Sequence, residues 1–247
     1  MMLKCLASGS KANCYLLDDG KEVIIIECGV QFLKVKKALD FDISRIKCVL
    51  VTHGHVDHSK HLKEYINAGI PICTSSGTLE ALSIKNRYGF RSGYWYQFGE
   101  FNITPFNVQH DCVEPFGFLI RHEEMGTMLF ATDTEYIKYD FSKFNLDHIL
   151  IECNYSEDII SDREESNQIN KGLANRVKNT HMELKNCIEF VKNNNSPLLK
   201  NVVLLHLSDG NSDARLFKKE VEKVVSEHVN VFIADKGLEI DVDRYGF

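Results

Sequence analysis

The run Lys47-Cys48-Val49-Leu50-Val51-Thr52, followed at once by His53-Gly54-His55-Val56-Asp57-His58, constrains this chain more than any other segment. It puts three imidazoles and a carboxylate within six residues, at the exit of a β-branched run of strand length. Packing does not call for such a cluster. Neutral imidazole nitrogen and carboxylate oxygen are ligands that zinc, manganese and iron accept. In an extended segment the rings of His53 and His55 project to the same side. A turn through Val56 brings Asp57 and His58 round to face a second ion. One cluster of this shape can therefore supply two adjacent metals, the alternative being a surface loop that happens to be His-rich.

A hydrolytic two-metal site needs further ligands, an oxygen donor shared between the ions, and open positions for water and substrate. Ten histidines are present, and few stand where a strand hands over to a loop. His110 follows the extended segment 101–109, Asp133 follows the apolar run 128–132, and His206 ends the run 201–205. Each is a ligand type at the end of an apolar run, the position from which a sheet presents such groups.

In this order, His-x-His-x-Asp-His at 53–58 with His110, Asp133 and His206 resembles the metallo-β-lactamase fold superfamily of metal-dependent hydrolases. The resemblance spans nearly the whole chain. It implies that His53, His55 and His110 hold one divalent ion, that Asp57, His58 and His206 hold the other, and that Asp133 bridges the two. The cofactors expected are two divalent ions, zinc or manganese first and iron as a further option, because this donor set suits all three. The opening Ser8-Gly9-Ser10-Lys11-Ala12-Asn13 looks like the start of YycJ/WalJ-type exonucleases. Glu152-Cys153-Asn154-Tyr155, Asn179-Thr180-His181-Met182 and His206-Leu207-Ser208-Asp209-Gly210-Asn211 continue that likeness. Relatives include ribonuclease Z and cyclic-nucleotide phosphodiesterases, so phosphodiester cleavage is the implied theme. The implied fold is α/β, a four-layer αβ/βα sandwich of two mixed sheets with helices outside. One position departs from the pattern. Glu27 stands where relatives carry Asp, and its extra methylene moves the carboxylate by roughly an ångström unless the backbone adjusts.

The chain's 247 residues suffice for one sizeable α/β core or for two small domains. With no Pro/Gly/Ser-rich linker, repeat or low-complexity tract, the reading is a single domain over 1–247. The longest apolar runs, 23–26 and 202–205, are strand-sized and too short to span a bilayer, and no signal-peptide pattern opens the chain. Eight scattered cysteines with no Cys-x-x-Cys pair fit free thiols in a reducing cytoplasm better than a secreted disulfide framework. A net charge of −6 argues against a broad basic surface for long duplex DNA, since phosphate neutralisation drives such binding. A local rim is still open to it. Lys85, Arg87 and Arg91, interleaved with Tyr88, Phe90, Tyr94, Trp95 and Tyr96, are the candidates, the alternative being a hydrophobic cap over a sheet edge. The expected partner is a nucleic acid or nucleotide substrate and not a membrane; the oligomeric state is open, a dimer included.

Alternation and turn residues predict strands at 3–6, 14–17, 23–27, 48–52, 103–108, 116–121, 127–131, 148–152, 202–205 and 229–233, with a hairpin turn at Asp18-Asp19-Gly20. A helix is expected after the metal motif, through Leu62, Tyr65 and Ile66, stopping at Gly69 before Pro71. Further helices are expected at 159–177, 184–193 and 212–226. Strand-rich halves trailed by helices agree with a layered α/β fold.

The leading functional reading is a dinuclear-metal phosphodiesterase, a YycJ-type nuclease that cleaves DNA with metal-activated water. Asp57 is the ligand expected to hydrogen-bond the nucleophile. His181 is the candidate proton donor to the leaving group, placed before a helix whose dipole would disfavour its charged form; its plainer reading is an exposed residue at a helix start. Ser208, Asn211 and Asn154 are candidates for contact with the substrate; the plainer reading of the local Ser/Asp/Asn density is a helix cap by Ser212 or Asp209. Two alternatives use the same ions: a cyclic-nucleotide or small-nucleotide phosphodiesterase, and a thioester or lactone hydrolase.

Overall fold

β-Branched and aromatic runs set the strands, and Asp, Asn and Gly set the turns between them. The computed structural model describes residues 1–85 and 89–245. Its strands are β1 (Met2–Ala7), β2 (Cys14–Asp18), β3 (Val23–Ile26), β4 (Ile46–Leu50), β5 (Ile72–Cys73), β6 (Tyr96–Phe98), β7 (Phe101–Asn107), β8 (Phe116–His122), β9 (Gly126–Ala131), β10 (His148–Glu152), β11 (Asn201–Leu205), β12 (Asn230–Ile233) and β13 (Glu239–Asp241). They form two sheets, ordered β13-β1-β2-β3-β4-β5 and β12-β11-β10-β9-β8-β7-β6. Backbone contacts divide the chain into two compact units.

The first unit comprises Met1–Asn107, Cys112–Gly126 and Ala234–Phe247. Here β1, β2 and β3 pair antiparallel. The Asp19 carboxylate accepts from the amides of Lys21 and Glu22 and so closes the expected hairpin. β3, β4 and β5 then run parallel, which requires crossovers. Helix α1 (Phe32–Ala38) supplies the first; α2 (Val56–Ser59) and α3 (Leu62–Asn67) supply the second. The chain turns at Gly69, whose φ of 79° suits glycine. Buried in both directions, β3 and β4 read as near-continuous apolar runs, as central parallel strands do. Ile25, Val49, Val51, Val35 and Tyr65 pack into one core. After β5 comes α4 (Ser76–Ala81), capped by the Ser75 hydroxyl, which accepts from the Thr78 amide.

The second unit comprises Val108–Asp111 and Thr127–Ile233. Strands β9, β10, β11 and β12 are parallel, with Met128, His148, Asn201 and Asn230 in one row. Four helices accompany them: α5 (Glu157–Glu165), α6 (Lys171–Thr180), α7 (Leu184–Asn193) and α8 (Ala214–Glu222). The helix expected over 159–177 is thus two. The break comes where Asn167 takes a left-handed φ of 58° and the Asn170 side chain accepts from the Leu173 amide to start α6. Likewise α8 begins at Ala214 rather than 212, because Asp213 is the cap and accepts from the amides of Arg215 and Leu216. Strands β5, β6 and β13, two or three residues long, carry too short a pattern to be read from sequence.

None of the eight cysteines is in a disulfide, and all but Cys112 are buried. Burial pushes the Cys5 thiol up to about 12 and raises Cys14, Cys28, Cys48, Cys73 and Cys153 as well. Among the described residues no helix is long and apolar enough to cross a membrane.

Candidate metal centre

In the first unit β4 leads into the motif, and a single helical turn, α2, carries Asp57 and His58 with His55 as its N-cap. That is the turn through Val56 expected from sequence. The His53 ring lies 4.7 Å from that of His55 and 4.3 Å from that of His58, centroid to centroid. His53 Nδ1 meets the Thr52 hydroxyl at 2.8 Å. His58 is fully buried between three groups. Its Nδ1 lies 3.4 Å from Glu27 Oε1, and its Nε2 lies 3.1 Å from both Asn13 Nδ2 and Asp57 Oδ2. With the Glu27 carboxylate on the Nδ1 side, a proton on Nδ1 leaves the Nε2 lone pair facing Asp57 Oδ2. This is the tautomer that a metal ligand needs.

Glu27 and Asn13 are the two supports of this loop. Glu27 is fully buried, has a left-handed φ of 66°, and accepts from the Thr52 amide. From this left-handed backbone its carboxylate reaches both the Thr52 amide and the His58 ring. Asn13, the last residue of the Ser-Gly-Ser-x-x-Asn opening, is buried; its amide donates to Gly9 O and Asp57 Oδ2, and its Oδ1 accepts from the Gly9 amide. Gly29 packs directly beneath, where a Cβ would collide with the carbonyl of Asp57.

In the second unit His110, Asp133, Glu152, His181 and His206 all come from loops or strand ends. Asp133 follows β9, His206 follows β11, and both hold left-handed φ values, 47° and 52°. Non-glycine residues in that region cluster at functional sites because only surrounding structure keeps them there. Asp133 Oδ2 lies 3.7 Å from His110 Nε2, and Asp133 Oδ1 lies 3.6 Å from His206 Nε2. His110 Nδ1 donates to the Thr180 carbonyl at 2.8 Å. A carbonyl only accepts, so the lone pair of His110 is on Nε2 and points at a carboxylate. Burial, outweighing the charge of Asp133, keeps His110 below its ordinary pKa.

These contacts pass a simple test for a cation. The His110 lone pair faces two carboxylate oxygens, Asp111 Oδ1 at 3.3 Å and Asp133 Oδ2 at 3.7 Å, and acceptors facing one another make no hydrogen bond. Two ligands on one ion at about 2.0–2.2 Å stand about 3.3 Å or slightly more apart, close to what is seen. Asp133, Glu152, His181 and His206 moreover bring ligand atoms within 4.8 Å of one another. The donor set suits a divalent ion.

Glu152 is the member that sequence reading undervalued. It ends β10, a strand buried at every position, and a carboxylate there must be partnered. Its Oε1 receives His181 Nδ1 at 2.6 Å, while Oε2 accepts from the amides of Thr134 and Met182. His181 does not open a helix but ends α6, its amide donating to Val177 O. Burial pushes its pKa down, but the charge and hydrogen bond of Glu152, with Asp133 and Asp111 behind them, raise it to about 9.

The other candidates fall into two groups. Asn154 is buried, and its amide spans Nδ1 and the carbonyl of His206 at 3.1 and 2.9 Å. Ser208 Oγ accepts from the Asn211 amide, and Arg163 is half-buried and donates to Asn211 Oδ1 at 2.6 Å. In the first unit the proposed cationic rim divides. Phe90 packs on Tyr96 at 4.3 Å, whereas Tyr94 and Trp95 are exposed; Arg87 and Tyr88 lie outside the described residues.

Comparison with known proteins agrees with this picture. The β-lactamase superfamily domain matches residues 23–207. Exodeoxyribonuclease WalJ of Streptococcus pneumoniae is 24% identical over 97% of this chain and 91% of its own. Exodeoxyribonuclease YycJ of Bacillus anthracis is 26% identical over 53% of this chain and 54% of its own. The metallo-β-lactamase fold protein YhfI of Bacillus subtilis superposes with a TM-score of 0.75 at 18% identity, over 97% of this chain and 99% of its own. The chain belongs to the β-lactamase superfamily and is a metal-dependent hydrolase with the α/β metallo-β-lactamase fold.

Proposed function

We propose that this protein is a dinuclear-metal phosphodiesterase, a YycJ-type nuclease acting on DNA. The observation that carries the reading is Asp133, whose two oxygens face two different imidazoles, as a carboxylate shared between two ions would. Likeness to an exodeoxyribonuclease over 97% of the chain supports the substrate class. On this reading the two ligand sets work together in one domain over 1–247. His53, His55 and His110 hold one ion, Asp57, His58 and His206 the other, and Asp133 joins them, with zinc or manganese the fitting metals and iron a third. Cysteines held in no disulfide suit a cytoplasmic setting.

Bound ions would supply an activated water at neutral pH and screen charge at phosphorus. The chain's own groups do the rest. Asp57 accepts a hydrogen bond from the nucleophile and orients it. His181, anchored through Nδ1 to Glu152, turns its Nε2–H to the leaving oxygen as the general acid. Beside bound divalent cations His181 would give up that proton more readily, nearer the range where a general acid works best. Asn154 holds the His206 ring, and Ser208 and Asn211 offer hydrogen bonds to a substrate phosphate.

The test is a hydrolysis panel with zinc- or manganese-loaded protein: 5′-phosphorylated single-stranded DNA, cyclic mononucleotides and a thioester. Stepwise release of mononucleotides from DNA is expected, and its loss in His55→Ala and Asp133→Ala with the circular dichroism spectrum intact. Turnover of cyclic nucleotides alone would replace the nuclease reading with a messenger phosphodiesterase. Thioester turnover alone would overturn phosphodiester chemistry.

A further inference from the structure

The second unit has a concave feature that the metal chemistry does not use, a cleft of about 630 Å3 between residues 136–142 and helix α7. We propose that this cleft binds a nucleobase of the substrate strand; the assignment to a substrate rests on the nuclease reading above. Tyr136 and Tyr139 line it and are 40% and 43% exposed. Part-exposed aromatic rings in the lining of a cleft are stacking surfaces, since every base has a π-face to offer. Met182 and Phe190, both buried, give it an apolar floor.

The lining polar groups select for a base and against a phosphate. Asn186 and Asn193 carry amides, which both donate and accept, as the edge of a base requires. Asp140 and Glu189 bring negative charge that repels a phosphate and accepts from exocyclic amino groups. Among the described residues of the lining the cation is Lys138, which lies over the Tyr136 ring at 5.8 Å. Adenine, cytosine and guanine have amino donors for these carboxylates, and thymine has none, so the cleft should favour the first three.

The cleft is pre-formed and close to the chemistry. Asn194 is committed to the frame, its Oδ1 accepting from the Phe141 amide and its Nδ2 donating to Phe190 O. Tyr136 stands three residues beyond Asp133, which limits their separation to about 10 Å along the chain, and Met182 directly follows His181. The Thr134 hydroxyl donates to Tyr136 O at 2.9 Å, and Asn186 Nδ2 reaches Glu135 O at 3.4 Å, so residues 134–136 are tied to α7.

The experiment pairs binding with kinetics. Deoxyadenosine, deoxycytidine and thymidine, which lack phosphate, are titrated against the metal-loaded protein by saturation-transfer NMR. The same protein is assayed on single-stranded DNA and on a strand with abasic sites at its cleaved end. Amino-bearing nucleosides should bind better than thymidine, binding should vanish in Tyr139→Ala, and Tyr139→Phe should restore it. In Tyr139→Ala the KM for DNA should rise roughly fivefold or more, as loss of one stacked base implies, with a smaller change in kcat and a smaller rise on the abasic strand. DNA hydrolysis with no nucleoside binding, or with KM indifferent to Tyr139→Ala, overturns the cleft assignment and leaves the nuclease reading standing. Nucleoside binding that depends on Tyr139 without any DNA hydrolysis supports the nucleobase cleft and sinks the nuclease reading.

Discussion

Replacing Glu152 by Gln isolates the charge on which His181 depends. The carboxylate is fully buried and serves three donors, with Oε1 on His181 Nδ1 and Oε2 on the amides of Thr134 and Met182. Gln has nearly the same shape. Its oxygen can keep the two backbone bonds, but its NH2 then faces His181 Nδ1, which must become an acceptor. The rise of the His181 pKa from 6.5 to about 9 corresponds to about 3 kcal/mol of stabilisation of the charged ring, and the ring is only 17% exposed. Because the folded value is raised, this stabilisation is complete below the unfolded value near 6.5 and disappears as pH rises through 9. In metal-stripped protein, urea unfolding from about pH 6 to about pH 9.5 should therefore cost the wild type about 3 kcal/mol more stability than Glu152→Gln. Parallel pH profiles for the two proteins would show that Glu152 does not hold the proton on His181. In the metal-loaded enzyme the same variant should lose most activity on substrates with poor leaving groups and least on those whose leaving group needs no proton.

Three further perturbations probe the supports of the metal motif and the fold around it. Asn13→Ala removes the amide from Asp57 Oδ2 and His58 Nε2; metal affinity, measured by competition with a chromogenic chelator, should fall about 10- to 100-fold, and unchanged affinity would deny Asn13 that role. Gly29→Ala places a Cβ against the Asp57 carbonyl and 2.7 Å from the Asn13 amide nitrogen; a loss of about 1–3 kcal/mol in denaturant unfolding is expected, together with weaker metal binding, and a neutral result would mean the loop yields freely. Asp18→Asn breaks the fork with Arg45, whose two contacts are 2.7 and 3.0 Å. Burial raises the Asp18 pKa, but the hydrogen bonds of Arg45 and the Gly20 amide bring it below the usual carboxylate range. The variant should be about 1 kcal/mol less stable at neutral pH, and the gap should close as pH falls through the depressed value; a gap that persists in acid would point to packing instead.

The division between what can and cannot be read from the sequence follows the range of the forces involved. Ligand types at strand exits are legible because a run such as 46–50 or 201–205 announces its own strand, and a His or Asp just beyond it has few other reasons to be there. The groups that orient the ligands are not legible. Asn13 reaches Asp57 across 44 positions, Glu152 reaches His181 across 29, and His110 donates to Thr180 across 70. Nor is the left-handed backbone at Glu27, Asp133 and His206, since local preference opposes it and only the assembled structure sustains it. His181 shows how far one such omission carries. Read at the start of a helix, its charged form is opposed by the dipole; placed at the end of α6, the same dipole favours it. That sign agrees with the pull of Glu152. A proton on this ring at neutral pH thus depends on where α6 stops and on a carboxylate from another strand, and neither is written in the residues around it.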